Sequence, residues 1–261
     1  QGIRSATAED NNTVVFTLRH PSPYGQNLLT FPIAKANAKG KYPIGSGRYR
    51  YKSTQDGPVL AANVTADFNP HITTIHLVNI AAADSIDNAV NIGNITYAYR
   101  DLSENSAKRM TATKKQINQN NLVYIGFNNR SGAFANAHLR KAVSLAVDRN
   151  ALAKSAYAGY ATAARSVYNP AFGLAATPRL FAEAADAAAA KQQIALSKVS
   201  DSALKITLLV NQNDNRLAAA NQIKTALEAA GFTVQLQVSK FSDYKARIKN
   251  LNYDLYIGEV K

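Results

Sequence analysis

The 261-residue sequence contains no cysteine, no tryptophan, one methionine and four histidines. The missing cysteines exclude disulfides, thiolate nucleophiles and cysteine-based metal sites together. Their absence agrees with export from a bacterial cell without requiring it. No apolar run comes near the roughly 20 residues that a membrane-spanning helix needs. The chain also opens without an initiator Met and without the basic-then-apolar pattern of a secretory leader. It begins abruptly at Gln1-Gly2-Ile3, which is expected of an internal excerpt of a longer chain.

Acidic residues are scarce too: 17 Asp and Glu stand against 30 Lys and Arg, giving a net charge of +13 and a pI near 9.8. Such a charge attracts polyanions, including nucleic acid, anionic lipid and an anionic cell wall. The cations are spread along the chain, as Arg48, Arg50 and Lys52, Lys108 and Arg109, Lys114 and Lys115, Arg140 and Lys141, and Lys245, Arg247 and Lys249. They form no dense block, so a solvated basic surface is expected rather than a nucleic-acid site. With 46% hydrophobic and 18% charged residues, the composition is globular. The length suits one large domain or two lobes.

The first 120 residues read as short strands. Val14–Leu18 is β-rich and is stopped by His20-Pro21-Ser22-Pro23. Gly45-Ser46-Gly47 is a turn that leads into Arg48–Lys52, where basic and aromatic residues alternate as on a half-buried strand. Ile72–Ile80 is a further β-type run, Ser85–Val90 a short helix closed by Gly93, and Ile95–Tyr99 another strand. The polar stretch from Leu102 to Asn121 marks a lobe boundary, giving a β-rich part over 1–120 and a second part over 121–261. Leu122–Phe127 then has the pattern of a buried strand. Asn136 caps a helix whose Leu139, Ala142, Val143, Ala146 and Val147 recur at three-to-four spacing. Asp148 caps a second helix, and the Ala-rich stretch from Phe181 to Val199 is helical by propensity.

The last sixty residues are the most legible. Leu204–Val210 is an apolar strand, and Leu217, Ala220, Ile223, Leu227 and Ala230 make one helical face ended by Gly231. Phe232–Val238 alternates as a strand. Phe241, Tyr244, Ile248 and Leu251 form another helical face after a Ser242 cap, and Tyr253–Ile257 is a third strand. This β-α-β-α-β order implies parallel strands joined by right-handed crossovers, an α/β fold.

Catalytic chemistry finds little support. The four histidines are His20, His71, His76 and His138, and no G-x-S-x-G surrounds a serine. His71 and His76 are five apart on an alternating run, which puts them on opposite faces of a strand and unsuits them as joint metal ligands. Gly40 to Gly47 lacks the G-K-[ST] of a phosphate loop and reads as a tight turn. The pairs Asp84 with Asp87 and Glu183 with Asp186 have helical spacing without a supporting constellation for acid–base work. A non-enzyme with neither cofactor nor metal is expected, which favours a binding protein.

In open parallel sheets, ligands sit in the crevice beyond the carboxyl ends of the strands. Those ends carry Asn211-Gln212-Asn213-Asp214-Asn215 after one strand and Gly258-Glu259 after another. Amide side chains both donate and accept, which suits a peptide backbone; equally, Asn213 or Asp214 caps the following helix.

Taken in order, several motifs resemble those of the family 5 extracellular solute-binding proteins, the peptide- and nickel-binding class that serves ABC importers. Gly45-Ser46-Gly47-Arg48-Tyr49-Arg50 resembles a G-T-G-P-Y-[KR] turn, Val59–Asn63 an apolar run leading to an Asn, and Ala89 to Thr96 an A-L-x-x-G-E-I-D segment. The most specific set is Tyr124–Asn129, Ala133-Phe134, Leu139–Arg149 and Gly159, which is similar to F-N-x…P-F-x-x-x-x-[VL]-R-x-A-[LV]-x-x-A-[IV]-D-[RK]…G. Ala226 to Val234 and Tyr253-Asp254-Leu255 fit as well. The chain departs from the pattern at Arg48 and Ala133, which replace Pro, and at Gly258-Glu259, where the family often has Gly-Trp.

The resemblance implies a periplasmic-binding-protein-like fold of type II, cluster C, with two lobes of which this chain supplies part. It implies a non-catalytic substrate-binding component of an ABC importer that closes on oligopeptides or dipeptides and docks on permease subunits. An extracytoplasmic location follows, at the cell surface or in the periplasm, with any lipid anchor lying outside this chain. Cleft residues carried over by motif are Asn128 and Asn129, Tyr168, Asn213 and Arg216, and Gly258 with Glu259, Arg216 being able to pair with a ligand carboxylate. Rival readings are a ligand-sensor domain of a transcription regulator, a nickel- or haem-binding relative, and nucleic-acid binding by charge alone.

Overall fold

The computed structural model describes residues 2–35, 44–82, 85–103, 113–164, 166–169, 182 and 184–260. Gly40, Asp84, Lys108, Arg109, Phe181 and Glu183, to which sequence expectations were attached, lie outside this set. The chain forms two compact units, Gln1–Ile80 and Ala81–Lys261.

The first unit is built of two small antiparallel sheets. β1 (Ile3–Ala8) pairs with β2 (Val14–Leu18), and β3 (Tyr49–Thr54), β4 (Gly57–Ala62) and β5 (Thr74–His76) form a meander. Alternation on β3 is as expected: Tyr49 and Tyr51 are half-buried while Arg50 and Lys52 face water. The Tyr49 ring meets Phe68 edge-on at 5.7 Å, and the Arg48 guanidinium lies 5.2 Å from the same ring. Among the described residues of this unit only Val59 is buried. β1 and β4 were not apparent in the sequence, since Ile3–Ala8 has little apolar alternation and Gly57-Pro58 reads as a turn. Ile72–Ile80 contributes only the three residues of β5, and Ile95–Tyr99, in the second unit, forms no strand.

The second unit carries the core. Its sheet has the order β6-β9-β7-β8, with β6 at Leu122–Phe127, β7 at Lys205–Asn211, β8 at Thr233–Ser239 and β9 at Leu255–Val260. β7 runs parallel to both β8 and β9, as the β-α-β-α-β pattern requires, whereas β6 runs antiparallel to β9. The helices are α1 (Ile86–Asn91), α2 (Ala137–Ala146), α3 (Arg149–Ser155), α4 (Ala187–Ser197), α5 (Asp214–Ala230) and α6 (Phe241–Lys249). Phe134, Leu139, Val143, Leu208, Leu227 and Ile257 belong to one buried apolar cluster where α2, α4 and α5 meet the sheet.

The caps explain where these helices start. Asn136 Oδ1 accepts from His138 N at 2.9 Å, and Asp148 and Asp186 accept from Ala151 N and Ala189 N, both at 2.8 Å. Gly231 ends α5 at φ 120°, a conformation that a side chain would strain. The expected Ser242 cap is not formed: α6 begins at Phe241 after Lys240, with no side-chain cap, so Ser242 lies inside the first turn. The expected helix from Phe181 to Val199 begins at Ala187, because Asp186 supplies the cap.

Leu227 is fully buried in the cluster. Leu227→Ala should lower the unfolding free energy of this unit by about 2–5 kcal/mol, read by chemical denaturation. A loss below about 1 kcal/mol would mean that the cluster is not the core.

Candidate functional site

Because β7, β8 and β9 are parallel, their carboxyl ends at Asn211, Ser239 and Val260 share one rim of the sheet. Antiparallel β6 begins there, with Leu122 opposite Val260. The start of α5 closes over this rim and buries an unusual set of polar residues: Asn211, Asn213, Asn215 and Arg216, all 8% exposed or less. Buried polar groups require partners, and each of these residues finds at least one. Asn213 Oδ1 caps α5 by accepting from Arg216 N at 3.0 Å, and its Nδ2 donates to the Ser103 carbonyl at 3.2 Å. Asn215 Nδ2 donates to the Leu102 carbonyl.

Arg216 is the centre of the rim. Its Nη1 donates to Asn211 Oδ1 at 2.8 Å and its Nη2 pairs with Glu259 Oε2, the two side chains being 10% and 4% exposed. The other Glu259 oxygen accepts from Asn121 Nδ2 at 2.8 Å, and that same amide reaches Ser103 Oγ at 3.2 Å. Tyr157 lies close enough to feel both charges. Burial pushes its phenol up to about 12, with Arg216 opposing the rise and Glu259 adding to it. On the far face of the sheet, burial likewise pushes Tyr244 up to about 12, and its hydroxyl donates to the Ile257 carbonyl at 2.6 Å.

Gly258 serves a steric purpose. A Cβ there would sit 2.6 Å from Tyr124 Cζ and 2.8 Å from Tyr256 Cε2. Tyr124 stands opposite Gly258 and Gly126 opposite Tyr256, so each tyrosine ring lies over the glycine of the partner strand. The two rings meet edge-on at 5.9 Å.

The structure therefore brings Asn213, Arg216, Gly258 and Glu259 together. It places Asn128 and Asn129 at the other end of the sheet. β6 runs against its neighbours, so its carboxyl end lies at their amino ends, about 20 Å away across six residues. There Asn128 is a structural tie: its Nδ2 donates to the Leu251 and Tyr253 carbonyls, both at 3.2 Å, while Asn129 is exposed. An open depression of about 440 Å³ at this end is lined by Gly132, Ala135, Val199, Ala203, Lys205 and Asp254. Asp254 is occupied in accepting from Thr207 N at 2.8 Å. Tyr168 is 67% exposed. Its neighbour Asn169 donates to Asn120 at 2.7 Å, which places this segment beside the rim.

Sequence reasoning missed Asn121, Ser103 and Tyr157. Asn121 had a readable signal, an amide directly before a buried strand. The repeated Tyr-Ile-Gly at Tyr124–Gly126 and Tyr256–Gly258 was also readable as a facing pair of strands. Ser103 and Tyr157 had none. Among the described residues no group of three His, Cys, Asp or Glu could hold a metal ion.

Comparison with known proteins gives a consistent likeness. The profile of the bacterial extracellular solute-binding proteins, family 5 (middle), matches residues 1–260. A Brucella ovis protein provisionally named an ABC transporter peptide-binding protein is 26% identical over 189 residues, 64% of this chain and 35% of the relative. The substrate-binding protein CtaP of Listeria monocytogenes superposes with a TM-score of 0.73 at 22% identity, covering 99% of this chain and 57% of that one. The oligopeptide-binding protein AppA of Bacillus subtilis, solved with a nonapeptide, gives 0.65 at 19% identity, covering 99% and 58%. NikA of Brucella suis, solved with Fe(III)-EDTA, gives 0.75 at 17% identity, covering 99% and 59%. The fold is thus that of these two-lobe α/β binding proteins, and the chain spans little more than half of the solved relatives' length.

Two outcomes follow for the rim. Gly258→Ala should cost about 1–3 kcal/mol of stability by denaturant titration, because the tyrosine rings must move; a neutral effect would mean that the rings do not lie over the glycine. Tyr157 and Tyr244 hold their protons to about 12 when folded, while unfolded tyrosines ionise near 10. The unfolded state then binds fewer protons, so stability should fall from about pH 10 to about pH 12. Tyr157→Phe should flatten that fall, and an unchanged slope would place the phenol in water.

Proposed function

The chain belongs to the family 5 bacterial extracellular solute-binding proteins, and from that membership we propose that it is the substrate-binding part of an ABC importer for oligopeptides or dipeptides. The observation that supports this reading is the rim, where Asn213, Arg216, Gly258 and Glu259 gather at the carboxyl ends of parallel strands. That is where open α/β sheets hold their ligands. Tyr168, beside the rim and mostly exposed, supplies an aromatic surface in a chain without tryptophan.

In this reading residues 1–120 contribute to one lobe and 121–261 to the other, and the lobes close on the ligand as a hinge. The closed form docks on permease subunits, outside the cytoplasm, and a lipid anchor elsewhere in the full protein holds it to the membrane. Among the described residues no helix is long and apolar enough to cross a membrane. The protein performs no chemistry on its ligand.

Calorimetry on the full-length protein with peptides of two to nine residues should give micromolar dissociation constants, about 8 kcal/mol of binding free energy. Heat with nickel chelates or haem and none with any peptide would overturn the proposal.

A further inference from the structure

We propose that Glu259 sets the charge preference of the rim: by pairing with Arg216, it makes this end of the sheet select a neutral hydrogen-bonding group, such as a peptide carbonyl, over a free carboxylate. This inference rests on the peptide-binding reading above.

An arginine anchors a ligand carboxylate when its fork is free to make two parallel bonds. Both η nitrogens of Arg216 are occupied within the chain, Nη1 by Asn211 Oδ1 at 2.8 Å and Nη2 by Glu259. The opposite charges cancel beneath the surface, where the two side chains are 10% and 4% exposed. An incoming carboxylate would have to displace Glu259. That would leave a buried carboxylate held only by the neutral Asn121 amide, a strongly unfavourable state. Asp214, exposed in the first turn of α5, adds negative charge at the same end, and exposed Lys240 after β8 offsets it across water.

A neutral acceptor meets no such barrier. Arg216 Nε and the Tyr157 hydroxyl are buried donors with no acceptor among the described residues. A ligand carbonyl that reached either donor would satisfy it without displacing Glu259.

The test uses the full-length protein and pairs of peptides that differ only in a free or an amidated C-terminus. Calorimetry should show the amidated form binding about tenfold more tightly than the free acid. Glu259→Gln leaves the Arg216 charge uncompensated, and the free acid should then bind about tenfold better than the amide. Equal wild-type affinities or a wild-type preference for the acid, or an unchanged ratio in a Glu259→Gln protein that is folded by circular dichroism, would overturn the inference and leave the peptide reading standing. No heat with either form would overturn both. If Glu259→Gln does not fold, the double change Arg216→Met with Glu259→Met decides the matter: the preference for the amide should shrink to within about threefold, and a preference kept at tenfold would overturn the inference.

Discussion

β6 and β9 carry the same tripeptide, Tyr-Ile-Gly, and lie antiparallel with Ile125 opposite Ile257. In that register both isoleucines face the core while each tyrosine ring crosses the glycine of the other strand. A slip of one residue would turn Val123, Ile125 and Phe127 out of the core, and a slip of two would set the Tyr124 ring against that of Tyr256. The register therefore has one solution, and the rim depends on it. It delivers Asn121 to Glu259, which aligns Glu259 with Arg216 at the start of α5. It also carries Asn128 to the far end of the sheet, where the amide ties β6 to the Leu251–Tyr253 turn.

The polar burial at the start of α5 follows from that arrangement. An ion pair removed from water gains little net stability, because desolvation opposes the attraction. Its effect here is geometric. Arg216, Glu259, Asn121, Asn213 and Asn215 together reach Leu102 and Ser103, so one hydrogen-bonded network holds the segment before β6, the tip of β9 and the first turn of α5. Arg216, Glu259, Asn121 and Asn213 each have a second partner, which fixes their rotamers.

The parallel half of the second unit was legible in the sequence because its signals are local. Leu217, Ala220, Ile223 and Leu227 repeat at helical spacing, Gly231 stops the helix, and β7 and β8 are nearly continuous apolar or alternating runs. The first unit was less legible: its strands are exposed on most sides, so nothing enforces a two-residue alternation at Ile3–Ala8. The site was legible in part. Asn213 and Glu259 follow from the rule about strand ends and Arg216 from the family resemblance, whereas their mutual pairing depends on contacts 43 residues apart and on Asn121, 138 residues from Glu259. That Asn128 lies at the other end of the sheet was not legible, because the direction of β6 is a property of pairing, which no stretch of a single strand encodes.

The crossed tyrosines have a consequence for how this sequence can drift. Positions 124 and 258 share one volume, as do 126 and 256. A side chain gained at either glycine is tolerable only if the opposing ring shrinks, so viable descendants should change these sites two at a time. Relatives that lack the glycines are then expected to have lost the facing tyrosines as well, and to present a flatter, smaller-residue surface on that side of the sheet.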